Sequence, residues 1–277
     1  MMYTKKEEQE ILIPLLKKFH QWHQPEKTII IGIQGGQGTG KTTLVNVLQE
    51  VLSKAGYTVT SFSIDDFYTS WKERELLAKK YSKNPFYQIS RGLPGTHQVK
   101  LLKKVLEKLR QGKQIEIPLF DKSLHQGAGD SIGFRKITQK QDFVLFEGWC
   151  LGLPVISFEE LQRICKKEKI NLKKLDPSLK HAKIVLQFVN EYQPLWKYID
   201  HFIMLQPNSS SLHLQWRLQQ EKELKQKKGS GMSKREVEKF VEPFLPFTYA
   251  CYEKVNPDVK ILIDKKHRMY GLKDGGI

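Results

Sequence analysis

Short apolar runs alternate along this chain with stretches in which apolar positions recur every three or four residues. The runs that read as strands are Thr28–Gln34, Thr58–Ile64, Gln114–Ile117, Phe143–Phe146, Phe202–Leu205 and Val259–Ile263. Several are almost continuously apolar, the pattern of strands buried on both faces of a parallel sheet. Helical spacing covers Thr43–Lys54, where Leu44, Val47, Leu48, Val51 and Leu52 share a face, and then His97–Arg110, Leu212–Lys227 and Ser233–Phe244. Strand alternating with helix predicts a doubly wound α/β fold, a mostly parallel sheet with helices on both faces. Ligands of such sheets gather beyond the carboxyl ends of the strands.

The rest of the chain falls around this frame. Residues 1–27 read as a helical segment packing on the core; Thr4 and Glu7 have capping-box spacing, and Pro14 must kink or restart the helix. Residues 28–265 form the main domain, and 266–277 a basic tail. Within the domain, 73–135 is too long for a simple crossover and is rich in Gly, Pro and aromatics, as a substrate-loop insertion would be. Residues 212–245 read as a helical lid and the helix that follows it, hinged at Gly229-Ser230-Gly231.

Composition narrows the function without choosing it. A 277-residue chain with 39% hydrophobic residues can bury a substantial core. The formal charge of +16 favours anionic ligands, and the basic residues are spread along the chain, so a solvated basic surface is preferred to nucleic-acid binding. Three widely separated cysteines, Cys150, Cys165 and Cys251, point to reduced thiols without a zinc site. No apolar run has the length of a membrane span, and the N-terminus lacks a hydrophobic signal core, so a cytoplasmic protein is expected. His20 and His23 lack companions that would make them metal ligands.

The chemistry begins directly after the first strand. Gly35, Gly36, Gln37, Gly38, Thr39, Gly40, Lys41 and Thr42 match the phosphate-loop pattern, and Thr43 continues it into the helix. Glycines let successive N–H groups curl around a phosphate while the helix N-terminus adds its dipole. Lys41 then reaches the outer phosphates and Thr42 ligates Mg²⁺, so ATP with Mg²⁺ is the expected cofactor pair. The second strand ends in adjacent carboxylates, Asp65 and Asp66, of the kind that serve as base or Mg²⁺ ligand. Phe143–Phe146 runs into Glu147, the form of an acid placed near the metal or the attacking oxygen. Arg217, on the expected lid, can supply charge to a transferring phosphoryl group. Tyr68, Arg91, His97, Lys122 and His125 are the polar groups available to hold an acceptor, the cations suiting a carboxylate.

Together these segments resemble the phosphoribulokinase, uridine kinase and pantothenate kinase superfamily. The resemblance is carried by the phosphate loop, Asp65-Asp-Phe-Tyr68 and Glu147-Gly148. Arg91–His97, Asp121-Lys122-Ser123 and Trp216-Arg-Leu-Gln219 narrow it to glycerate 3-kinases of the plant and cyanobacterial type. That resemblance implies Asp65 as catalytic base, Lys41 and Arg217 at the phosphates, and Thr42 and Glu147 near Mg²⁺. The acceptor it implies is D-glycerate, with Asp66, Tyr68, Arg91, His97 and Lys122 around it, in a monomer or homodimer. Gln98 and Ser131 depart from the pattern, where an acid and an arginine are usual, and Arg135 stands nearby as a substitute. A sister kinase of uridine or pantothenate, or a nucleotide-switched binding protein, are the other readings.

Overall fold

The computed structural model describes residues 3–228 and 232–275. Strands β1 (Ile29–Gly35), β2 (Val59–Ser63), β5 (Phe143–Gly148), β6 (His201–Pro207), β7 (Val259–Ile263) and β8 (Met269–Asp274) form one sheet. Their order is β2-β5-β1-β6-β7-β8, parallel throughout except for the β7–β8 pair. A separate antiparallel hairpin pairs β3 (Ile115–Asp121) with β4 (Asp130–Ile137). The doubly wound, mostly parallel α/β fold therefore stands as read from the apolar runs.

Strand pleating explains how one sheet serves two cores. Ile29, Ile31 and Ile33 of β1, Phe143 and Leu145 of β5, and Ile203 and Leu205 of β6 point into one core. That core is covered by the helix following the phosphate loop (Lys41–Lys54) and the N-terminal helix Ile13–Trp22. The alternate residues Ile30, Val144, Phe146 and Met204 enter the other core, beneath helices Val99–Arg110, Phe158–Lys167, His181–Trp196 and Leu245–Lys254. Burial on both faces is why β1 and β5 read as continuous apolar runs. Edge strand β2 instead alternates between buried and half-buried positions.

Two expectations are corrected. The apolar run at Gln114–Ile117 does not join the parallel sheet; it opens β3 of the hairpin, whose partner β4 has exposed Ile132 and Phe134 and so lacks an apolar-run signature. The segment expected as a basic tail, 266–277, contains β8, which pairs with β7 in spite of two lysines and a glycine nearby. At Pro14 the helix restarts, the second of the two alternatives expected there. The π-helical turn Glu8–Leu12 precedes it, and the α-helix Ile13–Trp22 begins with Pro14 at its second residue. The Thr4–Glu7 capping box forms, and Glu7 also accepts the Met269 N–H at 2.9 Å, tying the N-terminal segment to β8.

The expected insertion, 73–135, folds as helix Trp71–Lys80, helix Val99–Arg110 and the hairpin. Arg74, 4% exposed, organises it by donating to the carbonyls of Thr69, Ser90, Ala128 and Gly129. Helix Leu212–Lys228 follows β6, and Lys234–Val241 packs back on it. The expected hinge at Gly229-Ser230-Gly231 lies outside the described residues.

Candidate active site

Register brings the site together. Glu147 pairs with Ile33 of β1 on one side and Ser63 of β2 on the other. Three strand ends thus deliver the phosphate loop, Asp65 and Glu147 to the same level, as the rule for parallel sheets requires. Lys41, Thr42, Asp65, Tyr68, Arg91, Lys122, Glu147 and Arg217 all line one cavity of about 260 Å³, with Gln37 and Gly38. Trp149 and Phe244 close part of its wall.

The phosphate loop is shaped by its glycines and by groups beneath it. Gly38 and Gly40 have φ of 77° and 88°, a conformation that side chains disfavour, and Gly40 leads directly into the helix. A Cβ on Gly36 would overlap the ring of His213, so no larger residue fits. The Gly36 N–H donates to the Tyr252 hydroxyl at 2.6 Å, while its carbonyl accepts from Thr39 Oγ1 and from Lys41 Nζ, each at 2.9 Å. Burial lowers the Lys41 pKa, opposed by the negative charge of Glu147 and Asp65. An anionic phosphate would oppose that burial further, so the loop suits the ligand its sequence implies.

Thr42 donates its hydroxyl to Glu147 Oε1 at 3.1 Å. A hydroxyl and a carboxylate are hard oxygen donors, and Mg²⁺ usually takes few protein ligands and completes its shell with phosphate oxygens and water. The pair therefore fits Mg²⁺ held together with a nucleotide. Among the described residues no group of three His, Cys, Asp or Glu forms a free-standing metal site.

The two adjacent carboxylates have different fates. Ser63 caps a short 3-10 turn, Ile64–Phe67, and the Asp66 side chain accepts the Ser63 N–H at 2.9 Å in return. Asp66 is spent on that cap and does not line the cavity, which corrects its assignment to the acceptor. Burial, together with the neighbouring Asp65, pushes it up to about 6, against the Ser63 bond and the charges of Lys122 and Arg135. Asp65 faces the cavity. Its Oδ2 accepts from Lys122 Nζ at 2.6 Å and its Oδ1 from the Tyr68 hydroxyl at 2.7 Å. Burial would raise it, but the Lys122 charge and these two bonds prevail and hold it at about 2.

Lys122 arrives from the tip of the hairpin, directly after β3, so an element outside the parallel sheet supplies a central cation. Arg91 lines the cavity and donates to the Gly127 carbonyl. His97 does not reach the cavity. It is 5% exposed, stacked 4.6 Å behind Tyr68, with Nδ1 2.7 Å from the Tyr192 hydroxyl. Burial lowers it to about 4, so the ring is neutral and serves to hold Tyr68, and through it Asp65. His125 also stands outside, stacked on Trp71 and paired with Asp130 at 3.3 Å. Arg217 is held by Glu221 one turn on and lies 5.2 Å from the Phe240 ring centroid.

Neither departure from the family pattern touches the cavity. Gln98 donates to the Tyr68 carbonyl at 2.9 Å, and Ser131 sits on β4. Arg135 is no substitute: it binds Thr60 and Ser61 of β2. Sequence reasoning missed Trp149, whose indole donates to the Gly92 carbonyl at 2.9 Å, and Gly92 itself, where a φ of 121° and a Cβ that would lie 2.5 Å from the Phe244 ring exclude a side chain. It also missed Tyr252 and His213 beneath the loop. His213 left one trace, lying four residues before Arg217 and so on the same helix face.

A family described as "Phosphoribulokinase / Uridine kinase family" matches residues 30–155. An uncharacterized kinase of Schizosaccharomyces pombe is 35% identical over 86% of this chain and 86% of its own. The chloroplastic D-glycerate 3-kinase of Arabidopsis thaliana is 32% identical over 81% of this chain, which spans about half, 47%, of that protein's length. Among solved structures, a D-glycerate 3-kinase from Cryptococcus neoformans is 25% identical, with a TM-score of 0.80 over 95% of this chain and 96% of that one. No helix among the described residues is long and apolar enough to cross a membrane.

Proposed function

Because the chain belongs to the phosphoribulokinase/uridine kinase family, we propose that it is an ATP-dependent kinase that phosphorylates the primary hydroxyl of D-glycerate to give 3-phospho-D-glycerate. One observation carries the reading. A carboxylate gripped by a lysine, Asp65 and Lys122, faces the phosphate loop across a single small cavity that Arg91 also lines. The base of an alcohol kinase and two cations for an acidic acceptor thus stand together. The glycerate 3-kinase relatives support the choice of acceptor.

Each residue then has a task. The loop and Lys41 bind the triphosphate, and Arg217 stabilises charge on the transferring phosphoryl group. Mg²⁺, held by Thr42 and Glu147, would neutralise phosphate charge. Lys122 and Arg91 bind the acceptor carboxylate, orienting its far hydroxyl toward the phosphate. The hydroxyl oxygen forms a bond to the γ-phosphorus as the bond to ADP breaks, and Asp65 takes the proton. A carboxylate held at about 2 is a weak base. That is adequate, because the loose transition state of phosphoryl transfer asks for little proton removal before the oxygen attacks. As Lys122 turns toward the acceptor its hold on Asp65 slackens and the base strengthens.

The test is ADP release with Mg²⁺ and ATP against D-glycerate, L-glycerate, uridine, pantothenate and ribulose 5-phosphate, with Lys41→Ala as control. Stimulation by D-glycerate above the others is expected. Preference for another acceptor would move the chain to a sister activity. ATP binding without stimulation by any acceptor would put a nucleotide-switched binding protein in its place.

A further inference from the structure

His213 plays no part in the chemistry above, yet it is 1% exposed and lies directly against the phosphate loop. Its Nδ1 stands 2.8 Å from the Gln37 carbonyl oxygen. A carbonyl can only accept, so Nδ1 carries the proton. The other nitrogen, Nε2, is buried without a partner. Burial holds the ring at about 4, against the Gln37 bond, so it is neutral at pH 7. The ring lies parallel to Tyr252, whose hydroxyl receives the Gly36 N–H. Trp216 packs between this ring and that of His267, 5.8 Å from the first and 4.5 Å from the second.

A trans peptide directs its C=O and N–H to opposite sides. Drawing the Gln37 carbonyl toward His213 therefore turns the N–H of Gly38 the other way. Among the described residues that N–H has no hydrogen-bond acceptor, and Gln37 and Gly38 line the cavity. His213 also begins the helix that carries Arg217 one turn further on, so the grip on the loop and the place of the arginine share one rigid element.

We propose that His213 is a positioning residue for phosphate binding: it holds the Gln37 carbonyl out of the site, aims the Gly38 N–H into it, and sets Arg217 relative to that donor. The inference rests on the reading of the loop as a nucleotide-phosphate site. An aromatic of similar size without a donor breaks the arrangement, whereas an amide donor restores it.

The experiment compares His213→Phe and His213→Gln in the full chain by calorimetric affinity for Mg²⁺–ADP and by thermal melting of the free protein. Loss of one buried, orienting hydrogen bond should weaken ADP binding about 10-fold in His213→Phe. His213→Gln should recover most of that, and the melting temperature should separate the two variants far less than the affinity does. Nitrogen NMR of the imidazole in the unaltered protein should show a neutral ring protonated on Nδ1. Unchanged ADP affinity in His213→Phe, equal losses in both variants, or an Nε2-protonated or charged ring at pH 7 would each overturn the inference. If His213→Phe fails to fold, the tautomer and the His213→Gln affinity still decide it. Should the unaltered chain fail to bind ADP, the nucleotide reading falls first, and the tautomer alone judges whether His213 orients the loop.

Discussion

Replacing Asp65 with asparagine keeps the shape of the side chain and removes its charge, and two different readouts follow from the geometry. The first is turnover. The amide that replaces the carboxylate can still accept the Tyr68 hydroxyl but cannot take a proton, and a positioned base contributes roughly 10²–10⁴-fold. ADP release stimulated by the acceptor should fall by that factor. ADP affinity should stay within about threefold, because none of the loop's own hydrogen bonds involves Asp65. The second readout is stability against pH. Asp65 is held at about 2 in the folded protein, against about 3.9 when unfolded. Two units at about 1.4 kcal/mol each give an upper figure near 3 kcal/mol. Lys122, 56% exposed, is screened by water, which brings the expected contribution to about 1–2 kcal/mol. The sign is fixed by the direction of the shift. A depressed carboxylate stabilises fully above its unfolded value and loses that contribution as pH falls from about 4 through about 2. Urea melts of the parent and Asp65→Asn should therefore differ by about 1–2 kcal/mol at pH 7 and converge near pH 2. Turnover within threefold of the parent would remove Asp65 from the role of base. A stability difference independent of pH would show that the pair with Lys122 is not its source.

Asp66→Asn should behave oppositely to its neighbour, keeping turnover within about threefold since its carboxyl only caps the Ser63 turn. With the folded group raised to about 6, the parent loses stability as pH rises from about 4 to about 6, and the variant should lack that slope in melts across the same range. Arg217→Ala should lower kcat by about 10²–10³-fold, with less effect on acceptor KM, measured by coupled assay; an effect confined to KM would place the guanidinium in simple binding. Gly92→Ala should destabilise the protein by more than about 1 kcal/mol in urea melts, because φ is 121° and the new methyl meets Phe244 at 2.5 Å; unchanged stability would mean that the wall of the cavity yields.

Some of this molecule was legible in the residues alone because it depends on local chemistry. Glycine at 38 and 40 is required wherever the backbone turns through positive φ, and a lysine and a threonine at the next positions fix what the loop can bind. Continuous apolar runs at β1, β5 and β6 are the direct imprint of burial on both faces, so the parallel sheet followed from them. Asp65, Glu147, Arg217 and Lys122 stand out from strand ends, the lid position and the family motifs, and all four line the cavity.

Tertiary structure decided what pattern cannot carry. Spacing alone does not separate the two adjacent aspartates, of which the family motif marks Asp65; the direction of the 3-10 turn is what sends Asp65 to the cavity and Asp66 to the Ser63 cap. His97 is a fair candidate for the acceptor until packing places it behind Tyr68, neutral and enclosed. β4 and β8 escape notice because hairpin and edge strands are wetted on one side and need no apolar run. Tyr252 and His213 grip the loop from 216 and 176 residues away in the chain. Their bonds depend on how the sheet and its two layers of helices close, a property of the folded arrangement that no spacing along the chain encodes.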